Sequence, residues 1–267
     1  MNHYLPNRVF DRRWWVVLPC VVLLVAYVAI STDALARQMQ SASPTIWEIV
    51  INVLSDRFIV HHGLTNLFIY AVSNVGVAGQ LDMQLLLRLR ARRIWLKAII
   101  SCVLVIVALY IGLVILSTVV VGLPFAHFSH NWSGYFDAYR ESFWLPEVAT
   151  IWLQLSPVLT ITFMAILMSL AWLFMGVVAL LVVVVTQRAF FGFLAAWFLN
   201  YSALISIDIN WLHDYWLARY MFLWNEAVIA DSLLLHFLAS CLYWVVLIGV
   251  MLTVLQYTVL RIDFTAH

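Results

Sequence analysis

Between Leu155 and Thr186 the chain runs for 32 residues without a charged side chain. Coiled as one helix, that run reaches about 48 Å at 1.5 Å per residue, well beyond the roughly 30 Å of hydrocarbon in a bilayer. Two hairpinned helices would need a turn within LMSLAWLFMG, which offers no turn chemistry, so the pattern predicts one long helix entered near Pro157. Five further apolar runs share this character, at residues 14–31, 58–78, 98–122, 189–207 and 232–260. With 65% hydrophobic residues, 10% charged residues and a mean hydropathy of +0.99, the chain is too apolar for a soluble domain of its size. It is expected to be an all-α polytopic membrane protein with about six transmembrane helices. No Gly/Ser-rich or Pro-rich linker divides it, so residues 1–267 are read as one membrane domain. The amino-terminal MNHYLPNRVFDRRWW is too long and polar to open a cleavable signal, and the first span is expected to be retained.

Charge orients these runs. Five of the fourteen basic residues, Arg88, Arg90, Arg92, Arg93 and Lys97, lie in the block QLDMQLLLRLRARRIWLK between the second and third spans. Basic loops resist translocation, so this block is expected on the cytoplasmic side, with both termini there too. Ten basic residues then fall inside and Arg37, Arg57, Arg140 and Arg219 outside. Read as a helix, the block stacks Leu81, Leu85 and Leu89 on one face and Arg88 and Arg92 on another. Outside, Ile46 to Leu54 is expected to form a short amphipathic helix. Leu212, Trp216, Tyr220 and Trp224 recur every four residues, which suits a short interfacial or re-entrant helix before the last span. The net charge of +1 gives no footprint for nucleic acid, and no nucleic-acid partner is expected.

The chemistry missing from the sequence narrows its function. In this layout no Asp, Glu, Lys or Arg lies near the middle of a span, whereas a proton-coupled carrier needs an ionisable group there. Sodium coupling through neutral oxygens stays open, although helices broken by Gly or Pro are not evident. A GxxxxGK[ST] phosphate loop is absent, since Lys97, the sole lysine, follows Leu96. The chain is therefore expected to bind no nucleotide and to be no enzyme by itself, any ATP and Mg²⁺ being held by a partner subunit.

The run LLLRLRARRIWLKA resembles the coupling-helix region of permeases in the type-2 ATP-binding-cassette exporter family. The likeness is greatest to six-span permeases from bacterial gene clusters for peptide export and self-immunity. In those proteins a leucine-rich segment leads into an arginine, a basic turn, a Trp and a Lys as the third helix begins. Arg88, Arg92, Trp95 and Lys97 stand in the corresponding places, and Arg90 replaces a small residue. The resemblance implies a coupling helix carrying Asp82, Leu85, Arg88, Leu89, Arg92, Arg93, Trp95 and Lys97. It also implies a second permease copy or paralogue, a cytoplasmic ATPase partner, and a place in the bacterial cell membrane. An amphipathic peptide, lipid or drug-like cargo would suit the aromatic outer segments. The same block also reads as an anchor for anionic lipid.

His61, His62, Asn66, Ser73 and Asn74 make the second span unusually polar. They fit a pathway, a dimer seam or plain interhelical hydrogen bonding. Being adjacent, His61 and His62 are expected on different helix faces. His127, His130, Asp137 and His213 in outer segments raise two alternatives, a zinc site and a membrane-embedded enzyme acting on lipid-linked substrates, although no GxSxG or HExxH motif is present. A structural or sensory membrane subunit is a third class. Cys20, Cys102 and Cys241 lie singly in apolar runs and read as small hydrophobes. A reporter enzyme fused after Gln187 is expected to read as cytoplasmic, and an external signal there would overturn the layout.

Overall fold

The computed structural model describes residue 9 and residues 11–77, 89–143, 155–205, 217–222 and 233–261. Its elements are helical: α1 Trp14–Gln38, α2 Ile46–Ser55, a π-helical segment Ile59–Leu64 continuing into α3 Thr65–Val72, and α4 Leu89–Gly122. Then follow α5 Gly134–Phe143, α6 Pro157–Thr186, α7 Ala189–Ile205, α8 Leu217–Met221 and α9 Leu233–Arg261. Four of these, α1, α4, α6 and α9, are long and apolar enough to cross a membrane.

Helix α6 is the axis of the bundle. In its most apolar stretch 67% of residues are buried, against 22–39% for the other three long helices. Its ends are set locally: the Ser156 hydroxyl accepts from Leu159 N–H, Pro157 opens the first turn, and Gln187 ends the helix in the left-handed region at φ 55°. The tight turn through Arg188 folds α7 back onto α6. Gly192 makes that packing possible, since a Cβ there would meet the Ala179 carbonyl oxygen at 2.7 Å. Outward faces of α1 and α9 carry Trp15, Leu18, Leu23, Leu235, Leu242 and Val246, all exposed, as suits a hydrocarbon surrounding.

Contacts fix which way each element runs. Arg13, at the start of α1, donates to the Tyr70 carbonyl and the Ser73 hydroxyl, both at 2.6 Å, so α3 ends where α1 begins. Arg92, in the first turns of α4, reaches the Leu260 carbonyl at 3.2 Å, so α9 ends at that level too. At the opposite end, Thr45 and His127 form a β-bridge beside the start of α2, and Gly122 of α4 faces Ile46 and Ile49. We call these the Arg13 end and the Thr45 end.

The short helix α2 departs from the sequence expectation. Rather than lying flat outside, it dives from the Thr45 end into the bundle and packs against α1, α4 and α6. Ile46, Glu48, Ile49, Val50, Ile51, Val53 and Leu54 are all buried. The helix is apolar nearly all round, which belongs in an interior, and its polar side chains are satisfied there. The Glu48 carboxylate accepts Thr45 N–H in a capping box, and accepts Ser133 N–H and the Ser133 hydroxyl at 2.7 Å each. Asn52 donates to the Thr32 and Tyr135 hydroxyls, at 3.1 and 3.3 Å.

Helix α2, the π segment and α3 follow one another with a break at Asp56, so the boundary expected at Phe58 falls within this run. Asp56 has extended backbone (ψ 106°), ends α2, and caps the next segment by accepting Ile59 N–H at 3.0 Å. The break thus uses an aspartate cap and neither Gly nor Pro. Because Asn52 is level with Thr32 of α1 and Gly63 with Leu24, Asp56 and Arg57 lie between those levels, inside the apolar run of α1. Replacing Glu48 by alanine leaves the Thr45 and Ser133 amides without their acceptor. Stability is expected to fall by roughly 1.5–3 kcal/mol, read as an earlier thermal unfolding midpoint in detergent.

Candidate functional site

The π segment IVHHGL is the most unusual backbone among the described residues, and polar side chains from neighbouring helices converge on it. Widening the turn displaces carbonyl oxygens from the regular ladder, and inside an apolar bundle these need donors. Asn200 Nδ2 of α7 donates to the His61 carbonyl at 2.8 Å, Asn66 Nδ2 to the His62 carbonyl at 3.0 Å, and the buried Tyr110 hydroxyl of α4 to the Leu64 carbonyl at 2.7 Å. Trp172 of α6 donates to the Thr65 hydroxyl at 3.1 Å, where the segment becomes α3. Around this junction Phe68, Tyr110 and Trp172 stack within 4.9–5.7 Å of one another. Helices α3, α4, α6 and α7 thus each supply a donor to the segment or to its junction with α3.

His61 and His62 face apart, the first buried and the second exposed, yet both reach α7. Their Nδ1 atoms lie 2.6 Å from Asn200 Oδ1 and 2.8 Å from the Tyr201 hydroxyl, partners that are themselves adjacent in sequence. The Asn200 amide nitrogen is directed at two oxygens, the His61 carbonyl and Asn66 Oδ1, so its own oxygen faces His61. That network assigns the His61 proton to Nδ1 and leaves Nε2 a buried acceptor with no hydrogen-bond partner, the ring set edge-on to Phe222 at 5.5 Å. Arg57 lies over the other part of this corner, 6.0 Å from the Phe222 ring centre. His62 is exposed and packs between Phe58 and Tyr201.

The five polar residues read from the second span divide into two groups at different depths. His61, His62 and Asn66 join Asn200 and Tyr201 at the seam with α7. Ser73 and Asn74 sit at the Arg13 end, where Ser73 accepts from Arg13 and Asn74 donates to Asp11 at 2.8 Å. Sequence reading passed over Asn200, although an Asn within an apolar run is a signal in itself. Nothing in the sequence pairs it with His61.

Of the basic block, Asp82, Leu85 and Arg88 lie outside the described residues, as do the side chain of Leu89 and the interfacial residues Leu212, His213, Trp216 and Trp224. Arg92 is tied to the last carbonyls of α9, and Trp95 is buried at 3% exposure. Arg93 and Lys97 are exposed. Arg12, Arg13, Arg188 and Arg261 belong to the same end of the bundle. At the other end, His127 holds Ser43 at 3.3 Å, His130 and Asp137 are exposed, and no group of three or more His, Cys, Asp or Glu among the described residues is placed to hold a metal ion.

No family model, curated protein or solved structure matches this chain. The seam is therefore read from its own geometry: a hydrogen-bonded, weakly apolar joint between a π-helical segment and α7. A double-mutant cycle on His61→Ala and Asn200→Ala is expected to give a coupling of about 0.6–1.7 kcal/mol in unfolding free energy, the range of hydrogen bonds between membrane helices.

Proposed function

We propose that this chain is the six-span permease subunit of an ATP-driven exporter, working as a pair with a second copy or a paralogue on cytoplasmic ATPase subunits. One observation carries the reading: the start of α4 is a basic surface rigidly joined to the bundle. Trp95 is packed inside, Arg92 grips the end of α9, and Arg93 and Lys97 stay exposed for a partner. With 34 residues, α4 reaches about 51 Å, so its basic turns stand clear of a roughly 30 Å hydrocarbon layer. A push on the segment before α4 would travel along a stiff helix to Tyr110, and from Tyr110 to the π segment. Basic residues gathered at the Arg13 end support placing that end in the cytoplasm.

The four long helices, α7 and the run from α2 to α3 supply the six crossings in this reading. The His61–Asn200 and His62–Tyr201 contacts make the joint whose opening would change access to a path or to the partner permease. The cargo class remains an amphipathic peptide, lipid or drug-like molecule, with ATP and Mg²⁺ on the partner.

A tagged chain purified in mild detergent is expected to bring down an ATPase. Reversing charge at Arg93 and Lys97 is expected to abolish stimulation of that ATPase while leaving the unfolding of the permease unchanged. Changing Arg92 is expected to lower stability as well, since it also holds α9. Recovery of the chain without any ATPase under these conditions would sink the proposal.

A further inference from the structure

A groove of about 550 Å³ runs along the side of the bundle between α1, the π segment with α3, and α7. That volume lies within the roughly 300–1,000 Å³ of small-molecule sites. Its wall is almost wholly apolar, formed by Val16, Cys20 and Leu23 from α1, Gly63 and Leu67, and Phe193 of α7, and it is open along its length to whatever surrounds the protein. Gly63 brings the π segment against α1: a Cβ there would meet Leu24 Cδ1 at 2.6 Å. From Val16 to Leu24 the groove follows α1 for about 12 Å, starting at the Arg13 end. An occupant enters sideways from the hydrocarbon and lies parallel to the helices, as an acyl chain does.

The mouth of the groove carries charge. Tyr70, which lines it, receives the Arg13 hydrogen bond at its carbonyl and the Arg13 guanidinium over its ring at 4.9 Å. Arg13 also approaches Asp11 at 4.0 Å, so that acid is balanced within the fold. Arg12, four residues before Val16, is exposed, so among the described residues Asp11, Arg12 and Arg13 sum to one positive charge at this end of the groove. Trp15, 84% exposed, stands beside it in the position an interfacial indole takes at the headgroup level. Positive charge at the surface above an apolar channel matches an anionic headgroup above its chain. A second copy of the protein is the poorer fit. A two-fold axis along the membrane normal keeps equivalent residues at equal depth, so a contact centred on the groove would set the two positive mouths against each other.

We propose that this groove is a binding site for an anionic phospholipid, one acyl chain lying along Val16, Cys20 and Leu23 and the phosphate held at Arg12. The site needs no ATPase partner, so it stands or falls separately from the transport reading.

The test uses the full chain purified in mild detergent with equal amounts of phosphatidylglycerol and phosphatidylcholine, and native mass spectrometry to count retained lipid. The native chain is expected to keep phosphatidylglycerol over phosphatidylcholine by about fivefold, the scale of one surface cation acting on an anionic lipid. Leu23→Trp fills the groove from a side chain that is already 69% exposed, so the fold tolerates it, and bound lipid is expected to fall at least about tenfold. Arg12→Gln is expected to keep lipid and lose the headgroup preference. Equal lipid on the native and Leu23→Trp chains, or no preference in the native chain, would overturn the site. Efficient cross-linking between two copies through Cys20 would overturn it too, by showing that protein covers the groove.

Discussion

The arrangement depends on one requirement: every backbone carbonyl displaced inside this apolar bundle must find a donor, because lipid supplies none. The run from α2 to α3 departs from a regular helix at the Asp56 cap and along the π segment, and neighbouring side chains supply donors along the latter. Asn66, Tyr110 and Asn200 are spent on three carbonyls, and Trp172 on the hydroxyl next to them. An ordinary helix would need none of them.

The two ends of the molecule use polar groups differently. At the Thr45 end a buried carboxylate gathers loop amides: Glu48 joins α2 to the segment around Ser133, and Asn52 extends the network to Thr32 and Tyr135. At the Arg13 end, among the described residues, Arg12, Arg93, Lys97, Arg188 and Arg261 are exposed, while Arg13 and Arg92 turn inward to tie helix ends together. The His61 and His62 seam lies between the two ends.

Much of the architecture was legible from residues 155–186 and their like. Long apolar runs without charge can be little else than buried or membrane-embedded helices, and Ser156-Pro157 announced where α6 begins. The short helix at Ile46 was misread because its few polar positions suggested an outer face. Those positions, Glu48 and Asn52, are the ones the fold satisfies internally. Asp56 carried a readable N-cap signal, but its meaning as a break within the run from α2 to α3 required knowing that α2 enters the bundle.

The sequence by itself determined the helical class, the long helix within 155–186 and the segregation of basic charge, because these follow from hydropathy, capping and the period of the helix. Only the tertiary structure decided that two neighbouring histidines share one partner helix, that Asn200 holds His61 and Tyr201 holds His62, and that α1, α3 and α7 line a groove. Hydrogen-bond pairing and the shape of an interhelical space depend on relative position across more than a hundred residues of chain, and no local pattern encodes that distance.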